Sequence, residues 1–216
     1  EILIGLVGSE MCIRDRGGIW VDYELQTSIK GLFAIGECNF SDHGANRLGA
    51  SALMQGLADG YFVLPYTMQN YLSDQIKVPR FSTDAPEFDQ AEKGVRDRIA
   101  KLMAIKGTKS PDQLHKKLGH IMWNLVGMGR TLQSLAKAID EIAKVREEFY
   151  NDLRIVGSAD DLNVELEKAL RLEDFLVISK MMAIDALHRN ESCGAHFREE
   201  YQTADGEAAR NDNDYM

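Results

Sequence analysis

The chain has 216 residues, 44% of them hydrophobic, which is enough to bury a core in one domain or two small ones and too apolar for disorder throughout. Its 34 acidic residues against 25 basic ones give a formal net charge of -9 and leave no basic stripe for nucleic acid or anionic lipid. Cys12, Cys38 and Cys193 are too few and too scattered for a disulfide framework or a zinc cluster, and no stretch approaches the roughly 20 apolar residues that a membrane helix needs.

Residues 1–16 open with an apolar run, Ile2 to Gly8, that has no basic residue in front of it and so does not fit a secretory signal. The words from Gly5 to Arg16 resemble translated sequencing-adapter DNA, and the segment is set outside the fold as non-native. From Gly17 the pattern changes. Gly31-Leu32-Phe33-Ala34-Ile35-Gly36-Glu37 is apolar for four residues between glycines, which predicts a short buried strand ending in a carboxylate at a crevice. Asp42-His43-Gly44-Ala45-Asn46-Arg47-Leu48-Gly49 predicts a tight loop. Ser51 is then expected to cap a helix running to about Val63, whose small residues Ala52, Gly56, Ala58 and Gly60 allow close packing.

Pro65 and Pro79 bracket a connecting segment, after which helical periodicity takes over to near residue 190. Thr83 or Asp84 predicts a helix start with Pro86 in its first turn, and Ser110-Pro111-Asp112-Gln113 has the form of a capping box. Leu114, Leu118, Ile121, Met122 and Leu125 line one face of the next helix, and Leu132, Leu135, Ile139, Ile142, Val145 and Phe149 line a third. A further long helix is expected from Asp161 to about His188, with Leu162, Leu166, Leu170, Phe175, Ile178, Met182 and Leu187 inward. The fold class is therefore an α+β end piece followed by a mostly helical bundle of three antiparallel helices plus one long one. Residues 17–80 form the first unit, 81–203 the helical one, and 204–216 a loose polar tail.

A helix that starts after a glycine-rich loop aims unpaired N–H groups and a partial positive charge at whatever precedes it, which suits phosphate, carboxylate or another electron-rich group. Ser51, Ala52 and Leu53 occupy that place. Glu37 can accept hydrogen bonds from ribose hydroxyls, and Arg47 offers a planar fork for a carboxylate. His43 fits a loop residue that hydrogen-bonds nearby carbonyls.

Gly36-Glu37 followed by His43-Gly44-Ala45-Asn46-Arg47-Leu48-Gly49 resembles the most diagnostic segment of the succinate dehydrogenase and fumarate reductase flavoprotein subunits. Glu191-Ser192-Cys193-Gly194-Ala195-His196 is similar to that family's Glu-Ser-Arg-Gly-Ala-His word, with Cys193 in place of the arginine. The resemblance covers residues 17 to about 203. It implies the carboxyl-terminal end of a Rossmann-like FAD-binding domain followed by the family's helical domain, and an FAD-dependent oxidoreductase as the intact subunit. It further implies that Glu37 contacts FAD, that Arg47 binds a carboxylate of succinate or fumarate, and that the backbone at Ala52 and Leu53 meets the flavin. Ser51, one place before Ala52, is offered as the hydroxyl that Ala52 lacks; His43 and Asn46 are supporting residues. No metal ligands are implied.

The family's upstream FAD fingerprint, its flavin-bonding histidine and its proton-delivering arginine have no counterpart here, so the chain alone is expected not to turn over. The implied partners are an iron-sulfur subunit and, through it, a membrane cytochrome b or quinone-binding subunit, at the cytoplasmic face of a bacterial inner membrane. L-aspartate oxidase shares the same loop and stays open as an alternative, as does a non-catalytic helical interaction module.

Overall fold

A computed structural model describes residues 19–39 and 51–215, except for the side chain of Glu37. Residues 19–39 form a small unit held by single bridges, Gln26 to Phe33 antiparallel and Ile19 to Asn39 parallel, around Val21, Leu25 and Ala34. The strand predicted over 31–37 is therefore not an extended ladder among the described residues. It makes one bridge and then tightens into a 3-10 turn at Gly36–Cys38, where Gly36 takes the left-handed φ of 74° that favours glycine.

Helix α1 (Ser51–Ala58) passes through a wide turn at Asp59–Val63 into α2 (Leu64–Ser73). The helix thus runs past Pro65, where a connecting segment was expected. The Leu64 N–H reaches back to the Asp59 carbonyl, an i to i+5 bond. Pro65 follows in the first turn of α2, where a missing N–H is tolerated. The described part of the helix opens at Ser51, and the cap expected there borders residues 40–50, which lie outside the described residues.

Helix α3 (Pro86–Ala104) starts from Ala85, which makes no side-chain cap. Thr83 and Asp84 do not cap it: the Asp84 carboxylate turns aside to the Ser82 hydroxyl. Helix α4 (Pro111–Leu125) has the predicted capping box, with Ser110 and Gln113 bonded reciprocally. Strand β1 (Gly129–Arg130) leads to α5 (Leu132–Asp152), which Thr131 caps with Ser134 as the reciprocal partner. Helix α6 (Val164–His188) begins three residues after the expected start at Asp161, because the Asn163 side chain accepts from Leu166 N and donates to Val156 O and Ser158 O. Strand β2 (Phe197–Arg198) pairs parallel with β1, Gly129 opposite Phe197.

The core is shared by α4, α5 and α6. Leu114 and Leu118 meet Leu135, Ile142, Val145 and Phe149 and then Ala169, Leu172, Leu176 and Ala183, all buried. Each large side chain so buried stabilises the fold by roughly 1.5–3 kcal/mol. Polar side-chain contacts report the directions of the helices. Lys117 with Glu148 sets α4 antiparallel to α5, Tyr150 with Glu173 sets α5 antiparallel to α6, and Lys168 with Asp112 joins the starts of α4 and α6. Helix α3 lies outside this trio, burying only Leu102 and tied to α6 by Arg98 on Glu173 and Asp174. Leu162, expected inward, is 99% exposed because it precedes the helix, and Ile178 also faces outward.

The α3–α4 connector clasps the end of α5. Gly107 N donates to Leu153 O, Thr108 and Lys109 N to Asp152 O, and Arg154 N to Lys109 O. Thr108 also bonds the Asp152 carboxylate. A first side-chain carbon on Gly107 would stand 2.0 Å from the Asp152 backbone, so only glycine fits there.

Candidate functional site

The Gly36–Cys38 turn, which carries Glu37, rests on one face of α1. Gly36 Cα stands 3.9 Å from where a side chain would begin on Gly56, so the two backbones meet with nothing between them. Asn39 N closes the turn onto Gly36 O at 3.2 Å, and Cys38 Sγ bonds Ile35 O. Ile19 N donates to Cys38 O.

Ser51, Ala52 and Leu53 open the described part of α1. Ala52 is buried and Ser51 half-buried, while Leu53 and Met54 are 70% and 68% exposed and present an apolar face there. This arrangement can favour an electron-rich planar group through the helix dipole and apolar contact together. His43, Asn46 and Arg47 lie outside the described residues, as do the adapter-like residues 1–16.

Under this face lies a polar cluster that sequence reasoning missed. Asn39 Nδ2 donates to Ala34 O at 3.3 Å and to Asp59 Oδ2 at 3.4 Å. Gln55 Nε2 donates to Asn39 Oδ1 at 3.0 Å and to Asp59 Oδ2 at 3.4 Å. Gln55 Oε1 is buried without a donor. The available signal was the placement of Gln55 and Asp59 one turn apart among small and apolar residues.

The late motif builds a second polar cluster at the carboxyl-terminal end of α6. Arg198, 1% exposed, donates through Nη1 to Ala186 O and Leu187 O and through Nε to Glu200. Ser192 Oγ bridges Arg198 N and O. Arg130 Nη1 faces His196 Nδ1 at 3.1 Å while His196 Nε2 faces Arg189 O at 3.0 Å, a pattern that fits a neutral ring carrying its proton on Nε2. Burial pushes the Glu191 carboxyl up, but the Asn211 N–H and the Arg189 guanidinium together hold it below its ordinary value. Glu200 is held down in the same manner, burial opposing and the Leu132 N–H and Arg198 lowering it.

The tail expected to be loose folds back onto this cluster. Ala209 N donates to Tyr201 O, Ser192 N to Ala209 O, and Asn211 N to Glu191 Oε2. The Tyr215 hydroxyl accepts from Asn190 N and donates to His188 O, and its ring lies under Arg189. Polar composition alone does not show that backbone donors and acceptors find partners. Cys193 is half-buried in the turn to His196, and both Cys38 and Cys193 are free thiols. No group of residues able to hold a metal ion occurs among the described residues.

Residues 115–216 match the fumarate reductase flavoprotein C-terminal family, and residues 12–53 match the FAD binding domain. The chain is thus similar to the flavoprotein subunits of succinate dehydrogenase and fumarate reductase. It is 32% identical over 200 residues to the succinate dehydrogenase flavoprotein subunit of Bacillus subtilis, covering 93% of this chain and 33% of that protein. It is 33% identical over 190 residues to the fumarate reductase flavoprotein subunit of Haemophilus influenzae, covering 88% of this chain and 31% of that one. The Mycobacterium smegmatis Sdh1 structure in complex with UQ1 superposes with a TM-score of 0.76 at 28% identity, covering 90% of this chain and 30% of that one. The chain thus spans about a third of the length of the curated relatives it matches. The family assigns FAD as cofactor. The helix start at Ser51–Leu53, with Leu53 exposed, and the Gly36–Cys38 turn seated against that helix fit such a group.

Proposed function

We propose that this chain is part of the flavoprotein subunit of a succinate dehydrogenase or fumarate reductase, which interconverts succinate and fumarate. FAD, when bound, would supply the hydride acceptor and donor for that reaction. Glu37 is read as a ribose-hydroxyl acceptor, and the main chain at Ala52 and Leu53 as the flavin contact, with Ser51 beside them. Arg47 clamps one substrate carboxylate through its planar fork, with Asn46 and His43 shaping the loop around it. The observation that supports the reading is the seating of the Glu37 turn on the helix that the His43–Gly49 word precedes in sequence.

The proposed partners are an iron-sulfur subunit that takes the electrons and, through it, a membrane quinone-binding subunit, at the cytoplasmic face of the membrane. No helix among the described residues is long and apolar enough to cross a membrane, so attachment through a partner fits. The chain by itself is proposed to be inactive, since the glycine-rich FAD fingerprint and the proton-delivering arginine implied by the resemblance have no counterpart in it.

The test is Arg47→Lys in the full-length subunit. Lysine keeps the charge and loses the fork. A charge-assisted hydrogen bond is worth roughly 1.5–3 kcal/mol, so kcat/KM for succinate and fumarate is expected to fall about tenfold to a hundredfold with FAD content unchanged. Full activity with unaltered malonate inhibition refutes the assignment, and turnover of L-aspartate in place of succinate selects the L-aspartate oxidase reading.

A further inference from the structure

We propose that Asn39, Gln55 and Asp59 are positioning residues that form a buried polar lock setting the Gly36–Cys38 turn, and with it Glu37, at a fixed place relative to the first turn of α1. The inference rests on the reading above that both elements touch FAD. The lock joins two pieces of chain. Asn39 ends the turn and holds both Gly36 O and Ala34 O. Gln55 and Asp59 stand one helical turn apart, on the α1 face shared with Ala52 and Gly56, and reach Asn39 from there.

Several features separate this cluster from ordinary packing. Asn39 and Asp59 are 2% and 7% exposed, and burying an amide and a carboxylate is costly where apolar side chains would fill the same space. Both amides converge on a single oxygen, Asp59 Oδ2, and no ion pair to Asp59 occurs among the described residues. Gly56 offers no side chain to the turn and Gly36 none to the helix, so no side chain interlocks at that point of contact. Directional hydrogen bonds set the register there, and they tolerate less sliding than apolar contact. Gly36 at φ 74° fixes the shape of the turn, and the lock fixes its seat. Gln55 Oε1 is buried with no hydrogen-bond partner among the described residues.

The experiment uses the full-length subunit, with FAD affinity read by fluorescence titration of apoprotein and dicarboxylate KM measured on the reconstituted enzyme. Gln55→Leu removes both amide bonds at similar volume. Its FAD dissociation constant is expected to rise at least tenfold while the succinate KM stays within twofold. Glu37→Gln is expected to raise the FAD constant as well. The combined Glu37→Gln/Gln55→Leu variant should be little weaker than the worse single variant, because Gln55 acts through the placement of Glu37.

Multiplication of the two effects in the double variant, or unchanged FAD affinity in Gln55→Leu, overturns the lock. An unchanged constant in Glu37→Gln alone refutes the FAD reading of the turn, and the lock falls with it. Should Gln55→Leu not yield folded protein, Asp59→Asn preserves shape and runs the same cycle under the same criteria.

Discussion

Replacing Arg198 by methionine tests how the late motif stabilises the helical domain. The guanidinium is 1% exposed and supplies Ala186 O and Leu187 O, at 3.0 and 3.1 Å, with the donors that the last turn of α6 lacks. Methionine leaves those two carbonyls without it, at about 1–3 kcal/mol each if they stay dry. It also removes a cation from the negative end of the α6 dipole, worth roughly 0.3–2 kcal/mol. Opposing these losses, the desolvation penalty of the buried charge disappears and an apolar side chain takes its place. Glu200, whose side chain is 39% exposed, can rehydrate and adds little. The net expectation is a loss of about 2–4 kcal/mol, read from urea unfolding of this chain followed by far-ultraviolet circular dichroism. Arg198→Lys keeps the charge but reaches fewer acceptors and should fall between the two. A change within about 0.5 kcal/mol for Arg198→Met, the range of neutral surface substitutions, would refute the capping argument.

Gly107→Ala would place a carbon 2.0 Å from the Asp152 backbone and force the α3–α4 connector off the end of α5. A loss of about 3 kcal/mol or more is expected in the same unfolding assay, and equal stability would show that the clasp can shift freely. His115 stacks on Phe175, and burial lowers its pKa from the ordinary 6.5 despite the opposing pull of Asp112. The unfolded chain then binds a proton more readily than the folded one, so stability is full above pH 6.5 and declines as pH falls from there toward the lowered folded value. His115→Gln should flatten that slope, and an identical pH profile would place its origin elsewhere.

Much of the helical domain was legible in the chain itself. The Ser110–Gln113 box and the three- and four-residue spacing of Leu114, Leu118, Ile142 and Val145 are local signals, and they placed α4 and α5 with their inward faces. The His43–Gly49 and Glu191–His196 words likewise carried the family. Tertiary structure decided the rest. Leu162 continues an apolar period, yet Asn163 accepts from Leu166 N, donates to Val156 O and Ser158 O, and starts the helix after it. Helix α3 has helical spacing, yet α4, α5 and α6 already close the core and leave it outside. Pro65 reads as a break, but a single i to i+5 turn carries the helix past it. The loose-looking tail is held by acceptors on Glu191 and His188 and by the Tyr215 hydroxyl, 20 or more residues away for the Asn211 and Tyr215 contacts. The Asn39–Gln55–Asp59 cluster belongs with these. Periodicity records which side of an element faces inward, whereas convergence of residues 16 and 20 positions apart exists only once the chain has folded back on itself.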